Sequence, residues 1–352
     1  MTTSPWVRAP YQWPTAEVQP STFEVISGAD ALASFHVEFR EWAQDRRLPT
    51  TATSSWLFAT SQTYDGTHPW AVVARDSKGT LQGAVMLLDE EVEGLPVITL
   101  AGTDQGNRGT LTVDTPEVAE EIARELAQVL LERTHPRQLL LGPLDADDPS
   151  VHAFASALPG ARLVADDPIP VIRQDSSDAK DYLSQGMRRT LRKSKNRLFR
   201  DDREMSVHFT TDTDEIIEVI PQLERCHRDR DHVHGRASDL DDDRGRQLWH
   251  ERLRRLSETG HLELATLSID GQFAAHALGA IDHPVYRVLE GRFVTEWARY
   301  APGRLLEAAV LQRVLDDELF DSLDWMTAVA PEKLLATNAA DRMVLVHRAP
   351  SV

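Results

Sequence analysis

The sequence has few of the features that mark secreted or membrane-spanning proteins. Its 352 residues include one cysteine, Cys226, so no disulfide can form within the chain, as is usual in a reducing cytoplasm. No apolar run follows a basic start near residue 1, and no apolar stretch is long enough to cross a membrane. We therefore expect a cytoplasmic protein without a membrane partner.

Patterns of metal and dinucleotide binding are also missing. Cysteine and histidine come together in the segment Cys226–His234, but no second pair follows at the spacing of a zinc site. The glycines of Ala101–Gly109 do not have the spacing of a dinucleotide-binding loop. We expect no metal site in the first segment and a plain connection between strands in the second.

Positive charge is in the minority, since 38 lysines and arginines against 56 acidic residues give a formal net charge of −18. This balance argues against a protein that coats DNA, and we expect no DNA partner. The exception is MRRTLRKSKNRLFR, Met187–Arg200, with seven basic residues and no acid. As a helix it would carry a narrow apolar stripe and a broad basic face. Such a face is either simply solvated or follows a phosphate backbone.

The secondary structure predicted from the sequence repeats along the chain. Two segments each predict three strands with a glycine in the first turn, then a loop, a helix and a final strand. These elements are expected at 70–75, 81–88, 96–101, 115–133 and 138–142, and again at 261–269, 272–281, 285–290, 303–318 and 322–329. We interpret the chain as a duplicated α/β unit with an N-terminal arm (1–25), a first domain (26–170) and a second domain (171–352).

The starts of the two predicted helices differ in charge. In the first, VDTPEVAEE, acidic residues suit the helix dipole and would repel an anion. In the second, RYAPGRLLEAAVL, Gly303 allows a ligand to approach the backbone, Arg299 and Arg304 flank the turn, and no acid precedes Glu307. Free backbone N–H groups at a helix start bind phosphate, so this start favours a phosphorylated ligand over an ordinary turn.

The second segment resembles the GNAT acyltransferases, because a loop of the form A-x-G-x-x-L (Ala301, Gly303, Leu306) lies between three strands and a helix. The longer pattern MRRTLRKSKNRL, ELATLSIDGQFAAHALGAI and YAPGRLLEAAVLQRVLDDELFDSLDWMTAVAPEKL resembles the tandem-GNAT branch that includes the FemABX-like aminoacyl transferases. The resemblance implies two GNAT-like domains, the first degenerate, each a mixed, mostly antiparallel sheet flanked by helices. The sequence departs from the family pattern at Ala298, Ala301 and Glu332.

The activity that the resemblance implies is N-acyl transfer from a coenzyme A thioester to the amine of a small molecule, forming an amide. Coenzyme A, as a co-substrate, would be held by Arg299, Ala301, Gly303, Arg304 and Leu305. Other members of the branch take an aminoacyl group from charged tRNA, in specialised-metabolite or cell-wall biosynthesis. In that alternative the tRNA would contact Arg188, Arg189, Arg192, Lys193 and Lys195. A third alternative is a non-catalytic binding module.

Acyl transfer to an amine needs a general base and a hydrogen-bond donor for the oxyanion. Glu290, near the end of a central strand, is the candidate base. The resemblance gives catalytic positions to Asp324, after the helix, and to Lys333, which we expect to stabilise the oxyanion. Candidate substrate-binding residues, in a cleft between the halves, are His227, Arg230 and His276.

Overall fold

The strands of both halves join in one sheet. The computed structural model describes residues 22–350 apart from 45, 47, 64–67, 93, 104–106, 134 and 328–332. The strands are β1 (Thr22–Ser27), β2 (His68–Arg75), β3 (Leu81–Val92), β4 (Leu95–Leu100), β5 (Thr112–Val113), β6 (Gln138–Asp145), β7 (Ala161–Arg173), β8 (Met205–Thr210), β9 (Leu262–Ile269), β10 (Gln272–Asp282), β11 (Val285–Phe293), β12 (Ser322–Asp324) and β13 (Ala339–Arg348). The helices are α1 (Ala29–Gln44), α2 (Ser54–Thr63), α3 (Pro116–Glu132), α4 (Pro149–Ala157), α5 (Ala179–Tyr182), α6 (Gln185–Arg200), α7 (Thr213–Val233), α8 (Asp243–Glu258) and α9 (Pro302–Leu315). Short 3₁₀ helices lie at Thr50–Ala52, Asp239–Asp241 and Thr295–Tyr300.

The sheet is mixed and mostly antiparallel. Its strand order is β1-β2-β3-β4-β6-β13-β7-β12-β11-β10-β9-β8, with β5 paired to β3. Among these pairs only β4 with β6 and β11 with β12 are parallel. Helices flank the sheet, so the predicted fold class is confirmed. Of the helices that the structure describes, none has the length and apolar composition needed to span a bilayer.

The helix starts follow from local sequence. α3 begins after Thr115, whose side chain accepts a hydrogen bond from the Val118 N–H at 3.3 Å, and Pro116 takes the first helical position. α6 begins after Ser184, which caps the Met187 N–H at 3.1 Å. Its buried stripe includes Leu191 and Leu198, so the predicted amphipathic helix at 187–200 is confirmed.

The C-terminal strand completes the first half of the sheet. β13 lies between β6 and β7, and Met343 pairs with Asp145 on one side and Asp166 on the other. Val346 of β13 is fully buried in the core of the first half, which also contains Leu139. The core of the first half therefore includes a strand that comes after almost all of the second half in the sequence.

Three segments differ from the sequence analysis. From the sequence, no strand was predicted at 339–348, the first domain was expected to end at residue 170, and the arm was expected to end at residue 25. In the structure β13 occupies 339–348, β7 runs through residue 170, and β1 already begins at Thr22. Pro168, Pro170 and two aspartates hide the strand pattern of β7, since proline cannot donate to a strand ladder. The division at residue 170 stays a prediction.

A tryptophan from the first half lies in a core of the second. Trp56 of α2 packs with Ile216 of α7 and Leu253 of α8. Its indole N–H donates to the Gly102 carbonyl at 3.1 Å, and the guanidinium of Arg252 lies 4.1 Å from its ring centroid. A shared sheet and a shared core thus fix the two halves to each other.

We predict that Val346→Asp destabilises the first half, because it places an unpaired charge in a closed core. The free energy of unfolding should fall by about 2–5 kcal/mol. Hydrogen exchange in β6 should become faster, as measured by mass spectrometry. The control is Arg342→Ala, at an exposed position of the same strand. Unchanged exchange in β6 would contradict the structural role given to β13.

Candidate active site

The two parallel strands at the centre of the second half separate soon after they meet. β11 pairs with β12 only from Val285 to Arg287, opposite Ser322–Asp324. β11 then continues to Phe293, whereas β12 has ended. α9 starts nearby in sequence, at Pro302. Within the described residues, β11 has no strand partner on the β12 side beyond Arg287, and we call this point the strand fork.

Glu290 lies in β11 just beyond the strand fork. Its Oε1 lies 3.1 Å from Nε2 of His276 and 3.0 Å from Nδ1 of His227. Its Oε2 accepts a hydrogen bond from the indole N–H of Trp249 at 3.0 Å. These neighbours belong to β10, α7 and α8, so four elements converge on one carboxylate. The structure therefore brings together three predicted site residues, Glu290, His227 and His276.

The pKa of Glu290 lies well below its ordinary value. Burial raises this pKa, but hydrogen bonds from His227 and His276 and the positive charge of Arg292 lower it by more. The carboxylate is therefore ionised at neutral pH. The buried thiol of Cys226 is affected in the opposite direction, since burial and the charge of Glu290 raise its pKa to about 12. Cys226 is thus a neutral thiol and not a nucleophile.

A polar chain leads from Glu290 towards solvent. Nε2 of His227 lies 3.2 Å from Oδ2 of Asp231, one helical turn later in α7. Oδ1 of Asp231 in turn accepts a hydrogen bond from the exposed Arg236 at 3.1 Å. Each nitrogen of the His227 ring therefore faces a carboxylate. This arrangement fixes the ring and offers a path for a proton between the buried carboxylate and the surface.

Two arginines at the end of this cluster have no ion pair with an acid among the described residues. Arg292 follows Glu290 by two residues, and its Nη2 lies 3.3 Å from Nε2 of His227. Its buried Nε has no hydrogen-bond partner within the described structure. Arg230 of α7 places its guanidinium 4.1 Å from the ring centroid of Phe293. Burial, together with the charges of Arg292 and Arg236, lowers the pKa of Arg230.

The start of α9 presents free backbone donors. Ala301 precedes the helix in the left-handed conformation (φ 50°, ψ 52°) and provides no side-chain cap. Pro302 and Gly303 follow, and a Cβ on Gly303 would lie 3.2 Å from Cδ1 of Phe293. α3 also has proline at its first helical position. There, however, Thr115 takes the place of Ala301 and caps the helix, and the acidic Glu117 takes the place of Gly303. The charge difference predicted for the two helix starts is thus present in the structure.

The arginines of the α9 loop are engaged within the protein. Arg299 donates to Asp201, which also accepts from the Tyr300 hydroxyl at 3.0 Å. Arg304 donates to Glu307 at 2.7 Å and to the backbone carbonyl of Lys333. Attraction of a phosphate to the loop therefore rests on backbone N–H groups more than on these two side chains. The contact of Arg304 brings Lys333, with an exposed side chain, next to the start of α9.

Asp324 is a partner in an ion-pair network at the strand fork. Its Oδ2 accepts from Arg287 at 2.6 Å and lies 3.2 Å from Nε of Arg108, a residue of the first half. Its Oδ1 accepts the Met326 N–H at 2.7 Å. The side chain is almost fully buried. Both oxygens of Asp324 thus have partners within the protein, as is typical of a structural carboxylate. A catalytic role for Asp324 stays a prediction.

The basic face of α6 lies beside the α9 loop. The five residues predicted to contact tRNA are exposed, and none has an ion-pair partner in the described part of the chain; they are Arg188, Arg189, Arg192, Lys193 and Lys195. Phe199 on the same helix is 88% exposed. Arg197 donates to the carbonyl of Arg299 and so fixes α6 to the loop. Free positive charge near the α9 start therefore comes from α6.

The segment Cys226–His234 forms the end of α7 and the residue after it. His232 lies 2.7 Å from Oδ2 of Asp241, and His227 belongs to the Glu290 cluster. Within the described residues, no group of three or more histidine, cysteine, aspartate or glutamate side chains is placed to hold a metal ion.

Comparison with known proteins agrees with this geometry. Residues 185–334 match the family model of the acetyltransferase (GNAT) domain. This match covers less than half of the chain and lies within its second half. The similarity supports acyltransferase activity. A search of curated proteins found no match.

Three solved structures share the fold at 12% identity. FemX has a TM-score of 0.54 and aligns over 86% of this chain and 88% of its own. A conserved protein from Bacteroides thetaiotaomicron has a TM-score of 0.54, with 93% and 100% covered. The C-terminal domain of a putative lysylphosphatidylglycerol synthetase from Agrobacterium fabrum has a TM-score of 0.53, with 89% and 91% covered. The predicted FemABX-like tandem architecture is confirmed at the level of fold.

The sequence analysis missed three residues of this region. Trp249 reaches Glu290 from α8, Arg292 lies beside His227, and Arg108 crosses from the first half to Asp324. Strand alternation could have found Arg292, because residues two apart in a strand share a face. Neither Trp249 nor Arg108 had a local signal, since each reaches its partner from a distant part of the sequence.

We predict that Glu290→Gln destabilises the protein at pH 7 by about 1–3 kcal/mol, because buried donors lose their charged acceptor. The folded pKa of Glu290 is depressed, so its contribution to stability is complete above the ordinary pKa of glutamate. It is lost as the pH falls towards the lower folded pKa. The difference in the free energy of unfolding between variant and wild type, measured with urea, should be equal at pH 7 and pH 5. It should be smaller at pH 3.5. The exposed Glu218→Gln on α7 is the control; a gap that widens at pH 3.5 would contradict the assignment.

Proposed function

We propose that the protein transfers an acyl group from a coenzyme A thioester to the amine of a small molecule. The observation that supports it best is the uncapped start of α9 at the strand fork, with Gly303 against Phe293. Backbone N–H groups there would bind the pyrophosphate, in the loop and helix start that contain Arg299, Ala301, Gly303, Arg304 and Leu305. The thioester would extend from this point into the fork.

Donor and acceptor would approach from opposite faces of the sheet. Ala275 and Ala277 of β10 pack in the core that contains α6 and α9, whereas Leu278 packs in the core of α7 and α8. His276 alternates with Ala275 and Ala277, so it faces α7 and α8 together with Glu290. An amine bound near Glu290 would therefore meet the acyl group through the fork. His227, His276 and Arg230 line this acceptor side.

Glu290 would take part in removing the proton of the amine. A carboxylate offers about four acceptor positions; His276 and Trp249 use two of them, and Nδ1 of His227 lies 3.0 Å from Oε1. A remaining position can accept a hydrogen bond from the amine. Although its low pKa makes Glu290 a weak base, the amine nitrogen becomes acidic once it bonds to the acyl carbon. Glu290 would accept its proton as the carbon–sulfur bond breaks, and the proton would then go to the departing thiolate. Lys333, beside the α9 start, would stabilise the oxyanion.

We predict that Gly303→Val abolishes donor binding, because its side chain would meet Phe293 and block the N–H groups of α9. Calorimetric titration with acetyl coenzyme A should show affinity reduced at least tenfold, with an unchanged circular dichroism spectrum. The matched control is Glu117→Val, which changes the equivalent position of α3. Equal binding by both variants would refute the placement of the donor.

A second candidate is an aminoacyl-tRNA donor, favoured by the unpaired basic face of α6. This face offers more cations than coenzyme A needs. It also adjoins the α9 loop, which would bind the aminoacylated end of the tRNA. Lys and Arg contacts with a phosphate backbone release counterions, so binding would weaken steeply with salt.

We predict that changing Arg188, Arg189, Arg192 and Lys193 to Glu removes salt-dependent tRNA binding in a gel-shift titration at 50 and 200 mM salt, if the donor is tRNA. The control has the same change of net charge on other exposed positions: Lys78, Arg124, Arg162 and Arg342. Tight binding of acetyl coenzyme A with no tRNA shift in the wild type would assign the donor to coenzyme A.

A further inference from the structure

The acceptor side of the strand fork contains more positive charge than acyl transfer to an amine requires. Arg230 and Arg292 have no carboxylate within ion-pair distance in the described part of the structure, although acidic residues outnumber basic ones by 56 to 38. By contrast, the neighbouring arginines that the fold needs are paired. Arg236 binds Asp231, and Arg287 binds Asp324. Two unpaired, half-buried guanidinium groups close together are costly to keep unless a ligand pairs with them.

Arg292 has only uncharged hydrogen-bond partners within the described residues. Its buried Nε has no partner there, Nη1 donates to the Gly291 carbonyl, and Nη2 lies 3.3 Å from Nε2 of His227. Arg230 has its guanidinium face against Phe293, which leaves its N–H edge free. Burial and the charges of Arg292 and Arg236 lower the pKa of Arg230, so an anion placed between Arg230 and Arg292 would relieve part of that repulsion.

We infer that Arg230 and Arg292 form a carboxylate site, so that the acceptor is an amine that also carries a carboxylate group. This inference rests on the proposed transfer to an amine. Glu290 and Arg292 are two residues apart on one face of β11, which separates their backbones by roughly 6.5–7 Å. A negative and a positive group at this spacing match a molecule with an amine at one end and a carboxylate at the other.

The position of Phe293 assigns the anion to the acceptor and not to the donor. Its ring is in contact with Arg230 and lies 3.2 Å from where a Cβ of Gly303 would be. The ring thus stands between the arginine pair and the start of α9, where donor phosphates would bind. Arginine forks bind carboxylates through two parallel hydrogen bonds, whereas a lysine supplies only a point charge.

The test uses the arginine Nε–Hε signals of the full-length protein in NMR spectra, with Arg292 and Arg230 assigned from Arg292→Lys and Arg230→Lys. The probes are 4-aminobutyrate, n-butylamine and inorganic pyrophosphate. We expect 4-aminobutyrate to shift the Arg292 and Arg230 signals in a saturable way, whereas n-butylamine does not. Arg292→Gln and Arg230→Gln should weaken that binding at least tenfold, and Arg292→Lys should weaken it less. The control is Arg225→Gln, at an exposed position of α7.

Two outcomes would overturn the inference. One is the absence of a saturable shift with 4-aminobutyrate at concentrations up to 100 mM. The other is a response to pyrophosphate that 4-aminobutyrate does not compete with, which would assign the arginines to the donor. Acetyl coenzyme A and tRNA are titrated in parallel with the wild type and both glutamine variants. If the wild type binds neither acetyl coenzyme A nor tRNA but still responds to 4-aminobutyrate, the proposed donors are rejected and the carboxylate site is supported.

Discussion

The buried ion pair between Arg287 and Asp324 holds the strand fork on which the rest of the site depends. It spans the last paired residues of β11 and β12, at 2.6 Å. Arg287 also donates to Asp282 at 2.8 Å, and the Thr50 N–H of the first half donates to the same carboxylate at 2.7 Å. Arg108 adds a second cation from the first half. Removing one member would leave an unpaired buried charge, at a cost of about 3–5 kcal/mol.

This network joins the two halves at the point where chemistry is proposed. Arg108 binds Asp341 of β13 at 2.5 Å as well as Asp324, and Arg173 of β7 binds the same Asp341 at 2.5 Å. Strand pairing, the Trp56 contact and these charges all cross from one half to the other. The first half has a capped helix start at Thr115, and it still contributes contacts at the fork of the second half through Arg108 and Thr50.

The sequence was informative where local pattern decides structure. Alternation and helical periodicity located most central strands, α3, α6 and α9, and the strand-end position of Glu290 made it a candidate site residue. β13 and β7 were missed, because their partners are distant in the chain and prolines interrupt the pattern. Asp324 was singled out by resemblance, whereas its geometry depends on Arg108, more than 200 residues away. Side-chain pairing across such distances decides which charged residues are free, and no local window contains it.

Paired and unpaired arginines lie in different parts of the candidate site. Arg299 and Arg304 belong to the loop that the family pattern marks, but Asp201 and Glu307 neutralise them. Unpaired cations lie instead on α6, outside the loop, and at Arg230 and Arg292, on the other side of Phe293. Under the proposed function, the cations of α6 would lie towards the phosphates of the donor, and Arg230 and Arg292 would bind the anionic group of the acceptor. Glu290 and the strand fork would then lie between the two charged ends of the reaction path.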